Sequence, residues 1–119
     1  ANLKCRAPIP VTKAALGGEV EVPTIDGKKT RVKIPAGTQT NQQFRIKGKG
    51  MPIMRSDSHG DMFVEVFVET PVNLSKKQHE LLEQLDESLN GESGDKSGNT
   101  PQSSGFFQRM RELWDDLTE

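Results

Sequence analysis

The stretch MFVEVFVETP, residues 62–71, decides how this chain folds. Val64, Val66 and Val68 fall on one side of an extended strand. Phe63 and Phe67 fall on the other, together with Glu65 and Glu69. A strand with apolar groups on both faces belongs in the middle of a sheet or under two layers of cover. The other segments are therefore read as what flanks it. NLKCRA (2–7) alternates Leu3, Cys5 and Ala7 against Lys4 and Arg6, a half-buried strand that Pro8 and Pro10 are expected to stop. TKAALGG (12–18) gives one or two helical turns, with Thr12 as the cap and Gly17-Gly18 as the end.

EVEVPTIDGKKTRVKI (19–34) is a hairpin. Val20 and Val22 alternate with Glu19 and Glu21, Val32 and Ile34 with Arg31 and Lys33, and Asp26-Gly27 provides the turn. FRIKGKG (44–50) is a short strand running into a glycine-rich loop. Beyond Pro71 the period changes from 2 to 3.6. Ser75 and Gln78 form a capping box, and Leu81, Leu82, Leu85 and Leu89 form an apolar stripe. NGESGDKSGNTPQSSG (90–105) has linker composition. The last segment places Phe106, Phe107, Met110, Leu113, Trp114 and Leu117 on one helical face. The fold class is mostly β. A small β-sandwich-like domain (1–72) with a short helix in its first crossover precedes a packing helix (73–90), a flexible linker (91–104) and a terminal amphipathic helix (105–119).

Charge separates along the chain. Residues 1–79 hold 13 Lys/Arg against 7 Asp/Glu, a balance of +6; residues 80–119 hold 3 against 10, a balance of −7. Cys5 is the only cysteine, which excludes an internal disulfide and a cysteine-rich zinc site. It fits a reducing compartment such as the cytoplasm. No apolar run approaches the ~20 residues of a membrane helix. The chain opens in strand-like sequence without Met, as a fragment of a longer protein would.

RIKGKGMP (45–52) is not a phosphate loop. No Ser or Thr follows its lysines, and Pro52 stands where a helix would have to start. Lys28, Lys29, Arg31, Lys33, Arg45, Lys47 and Lys49 keep a nucleic-acid face open as a second reading, although the body has no Tyr or Trp to stack bases. Otherwise the stretch is a solvated strand face and a turn. SDSHGD (56–61) reads as a polar turn, because Asp57, His59 and Asp61 have no second histidine nearby. No nucleophile–base arrangement is present, so no enzyme is expected. The apolar face of the terminal helix needs a cover. It folds back on its own body or packs against a copy from a second chain, and a helix on a linker favours the second.

APIPVTKAALGGEVEVPTIDGK, then KIPAGTQTNQQFRIKGKGMP, then GDMFVEVFVETPVNLSKKQ, closed by SGFFQRMRELWDDL, closely resembles the C-terminal region of the DnaJ family of J-domain co-chaperones. It is most similar to the bacterial, zinc-bearing class. The resemblance implies the second of two tandem client-binding β-domains followed by a dimerisation helix. It implies a client groove at Leu3, Cys5, Ala7, Val20, Val22 and Thr24, shallower than the aromatic-lined version in the first domain. It also implies homodimerisation through Phe106, Phe107, Met110, Leu113, Trp114 and Leu117. Clients would be unfolded polypeptides, and the full-length protein would deliver them to a DnaK-type ATP-driven chaperone. The J domain, its His-Pro-Asp motif and the CxxCxGxG repeats do not occur in this chain. Zinc binding and ATPase stimulation are therefore expected from upstream sequence, with no cofactor here and no membrane partner.

Overall fold

A computed structural model describes residues 2–54, 58–91 and 98–118. The elements are β1 (Leu3–Pro10), α1 (Val11–Leu16), β2 (Gly18–Pro23), β3 (Lys29–Ile34), β4 (Gln43–Ile46), β5 (Met62–Glu69), α2 (Lys76–Asn90) and α3 (Pro101–Thr118). They form two units, Ala1–Val72 and Asn73–Glu119.

In the first unit β5 is the central strand of a three-stranded sheet ordered β1-β5-β4, and β2 and β3 form a separate antiparallel pair. β1 runs parallel to β5, with Cys5 beside Val64 and Ala7 beside Val66; β4 runs antiparallel, with Phe44 beside Val64. The two-residue period carries Met62, Val64 and Val66 into a core completed by Ile9, Ala14, Val22, Val32 and Ile34. The opposite face of β5, with Phe63, Glu65 and Phe67, is half-buried. It is lined by side chains of β1 and β4: Lys4 and Arg6 reach Glu65, and Arg6 also lies 4.4 Å above the Phe67 ring.

Three local expectations change. β1 does not stop at the prolines but runs through both. Leu3 N–H donates to Asp61 O, so the odd residues of β1 turn their amides toward β5 and the even ones face away. Pro8 and Pro10 are even, and each sits where its missing N–H interrupts no bond to β5. Thr12 does not cap α1. The helix starts directly from extended Pro10 with no side-chain cap, and Thr12 lies inside it. α3 starts at Pro101, four residues ahead of 105; Thr100 precedes it, and Pro at the first helical position loses no intrahelical bond. Of the linker expected over 91–104, residues 92–97 lie outside the described residues, and 101–104 form the first turn of α3.

The β2–β3 connection closes through Thr24 N–H to Lys28 O at 2.8 Å, with Gly27 at φ +83° in the turn. Three residues, Ile25, Asp26 and Gly27, make that loop, which matches a hairpin ending on a left-handed glycine. Gly17 ends α1 at φ +83°, and a Cβ there would lie 2.9 Å from Ala36 N. Only glycine fits both constraints. In the second unit the Ser75–Gln78 capping box closes in both directions, at 2.8 and 3.2 Å.

Candidate functional site

Leu3, Cys5 and Ala7 lie on the core-facing side of β1, and Val20 on β2. All four are half-buried and packed against the same apolar core. The sheet register brings the first three into one row over Met62, Val64 and Val66. Burial raises the Cys5 thiol above its ordinary pKa, as expected of a cysteine acting as a small apolar residue. Val22 on β2 and Thr24 just beyond that strand are buried more deeply, at 6% and 8% exposure. The Thr24 hydroxyl is engaged by the hairpin turn through Asp26 and Lys28 O. The more open of the six are therefore Leu3, Cys5 and Ala7 in a strip along β1, and Val20 on β2.

Beside this strip runs an unpaired backbone edge. β1 hydrogen-bonds only to β5 among the described strands, so the outward N–H groups of Lys4 and Arg6 are left without a ladder. The outward carbonyls of Lys4, Arg6 and Pro8 share that edge, whereas Pro8 and Pro10 contribute no donor to it.

The charged face of the same sheet is ordered by two carboxylates. Glu65 takes Lys4 at 3.2 Å, Gln43 at 3.3 Å and Arg6 at 3.7 Å. Asp61 accepts from Gly48 N–H at 3.1 Å and from Arg45 at 2.5 and 2.6 Å, while its own amide donates to Asn2 Oδ1. Asp61 thus ties the start of β1 and the loop after β4 to β5. The Lys4 and Gln43 contacts hold the Glu65 carboxyl below its usual range, and the Gly48 amide and Arg45 do the same for Asp61. A carboxylate whose pKa is depressed by folding stabilises the fold above its unfolded pKa, and that contribution is lost as pH falls through the folded value. The first unit is therefore expected to lose stability below about pH 4, in the ordinary carboxylate range and under it. Asp61→Asn should lower the melting temperature at pH 7 and flatten its acid dependence between pH 5 and 3. A melting curve as steep as wild type in that window would contradict the assignment.

RIKGKGMP occupies the exit from β4. Gly48, at φ +73°, turns its amide onto Asp61, and Gly50 N–H bonds Gly60 O at 2.8 Å. Lys47 is exposed, but Lys49 is half-buried and lines a shallow cleft with Asp26 and His59. The cations of the basic set are interleaved with acids: Arg31 pairs with Glu19, and Arg45 with Asp61. That pattern works against a continuous phosphate-binding face. Asp57 lies outside the described residues. Among those described, no group of three or more His, Cys, Asp or Glu is placed to hold a metal, and no helix is long and apolar enough to cross a membrane.

On α3, Phe106, Phe107, Leu113, Trp114 and Leu117 are exposed and Met110 is half-buried. Phe106 and Phe107 meet edge-to-face at 5.8 Å. Leu81 and Leu85 of α2 are exposed as well. Acids crowd the C-terminal turns of α3, where the helix dipole disfavours them, so this helix draws little support from its own sequence. Periodicity identified the face; the open edge of β1 had no signal of its own beyond the two prolines.

The geometry defines a class first: a two-sheet β module with an open edge strand, carrying a helical unit with uncovered apolar residues. A family model described as the DnaJ C terminal domain matches residues 1–71, and one described as the Chaperone protein DnaJ C-terminal region matches residues 77–116. Chaperone protein DnaJ of Paramagnetospirillum magneticum is 58% identical over 119 residues, that of Rhodospirillum centenum 56% over 119, and that of Brucella canis 50% over 119. The chain belongs to the DnaJ C-terminal domain family. Each of these matches covers 100% of this chain and 30% of the relative's length.

Proposed function

We propose that this chain is the part of a cytoplasmic DnaJ-type co-chaperone that holds unfolded polypeptide and pairs two protomers. It works by non-covalent binding, without catalysis. The observation that carries the first half is the half-buried apolar row Leu3, Cys5 and Ala7 beside an unpaired strand edge, with Val20 of β2 half-buried against the same core. An extended segment added to that edge gains backbone hydrogen bonds and sets alternate side chains on the row. The exposed face of α3, centred on Leu113 and Trp114, supports the second half. Two copies joined there would hold a client with several apolar segments by avidity. In the full-length protein, zinc and contact with a DnaK-type partner would belong to upstream regions.

The test is an NMR titration of this chain with a permanently unfolded, apolar-rich polypeptide at low and high salt. Shifts on residues 3–7 and 20–24 that survive salt are expected. Shifts confined to Lys28–Lys33 and Arg45–Lys49 that vanish with salt would overturn the reading and make the cations a nucleic-acid site. No shifts at all would leave only the pairing role.

A further inference from the structure

The edge of β1 presents two different faces to anything that pairs with it. On the core side stand Leu3, Cys5 and Ala7; on the other side stand Lys4 and Arg6, whose side chains are 63% and 58% exposed. One carboxylate, Glu65, serves both cations from the β5 side. A lysine has three donors and an arginine five, so both keep capacity toward the open side. The prolines bound the edge: its last outward amide is that of Arg6, because Pro8 and Pro10 have none.

Resting on the client-holding reading above, we infer that the segment this edge selects is an extended stretch of about five residues in which apolar side chains alternate with acidic ones. In an added strand, directly opposed side chains share a face. The register that sets apolar groups over Leu3, Cys5 and Ala7 also sets the intervening side chains beside Lys4 and Arg6. Acidic residues there complete a ladder in which each cation lies between Glu65 and a client carboxylate. Basic residues there meet like charge. The shifted register would put carboxylates over the apolar row, so the alternation fixes register as well as affinity. The selected client is thus not simply the most apolar one.

The experiment uses the whole chain and three synthetic peptide series that alternate leucine with glutamate, glutamine or lysine. Two cross-strand charge pairs predict that the glutamate series binds about fivefold tighter than the glutamine series at low salt, and the lysine series weaker than both. The preference should shrink at high salt, where exposed pairs are screened. N-methylation of one alternate set of peptide amides should abolish binding while methylation of the other set leaves it, as edge pairing requires. Equal binding of the three series, or indifference to both methylation patterns, overturns the inference. If unfolded polypeptide still shifts residues 3–7 in that case, client holding stands and only its selectivity is wrong. If neither polypeptide nor peptides shift those residues, both readings fail.

Discussion

Trp114→Ala and Leu113→Ala should each weaken self-association of this chain by about 2 kcal/mol, roughly 30-fold in Kd. Trp114 is 60% exposed in the single chain, with Leu113 beside it and Met110 and Leu117 one turn away on either side. A tryptophan buries more area than any other side chain, and anchors of this kind carry most of an interface's energy. In a helix of 18 residues whose last turns hold Asp115 and Asp116, little else offsets the cost of ordering. Sedimentation or light scattering over a micromolar range measures the effect. The body should keep its β-sheet spectrum in both variants, because neither residue belongs to the core of the first unit. A wild-type chain at monomer mass at high micromolar concentration would end the pairing half of the proposal. Unchanged association in both variants would move the interface off this face.

The sequence showed the middle of the fold more clearly than its margins. MFVEVFVETP announced a central strand because both of its faces are apolar, and β5 occupies that place. The hairpin and the α2 capping box were legible for the same reason: their signals are local, with partners within a few residues. The parallel pairing of β1 with β5 was not, since it joins residues 3–10 to 62–69 and no local pattern records it. Without that pairing, Pro8 and Pro10 look like terminators. With it, their even parity makes them compatible with an edge strand. Pro101 misled in the same way, since a proline amid Ser, Asn and Gly looks like a linker until it is seen at the first turn of a helix. For the candidate site, alternation told which side each residue takes but not its depth. Leu3 and Val22 have the same pattern in sequence, yet Val22 is buried while Leu3 stays half-open.

Depth is also what gives the largest expected effect on folding, Val66→Asp. Val66 has no exposed surface and stands beside Ala7 in the central strand. Its amide donates to Gln42 O at 3.0 Å and its carbonyl accepts from Asn41 at 2.8 Å, so its backbone cannot shift to bring the side chain out. Replacing the valine forfeits about 2 kcal/mol of apolar burial. The carboxyl then meets no cation on the core face, where its neighbours are aliphatic. It stays neutral only if its pKa rises by several units, about 1.4 kcal/mol each at neutral pH. A 72-residue unit has roughly 4–11 kcal/mol of stability in total. The variant should therefore lose the β-sheet signal of the first unit in circular dichroism at 25 °C and pH 7. Glu65→Gln, one residue earlier on the charged face, should keep the β-sheet signal, since the cations it releases, Lys4 and Arg6, are solvent-exposed. A folded Val66→Asp with the spectrum of wild type would mean that the core face of β5 is open to water. Since Leu3, Cys5 and Ala7 lie on the same face of the sheet, it would also remove the walls against which the proposed client row is built.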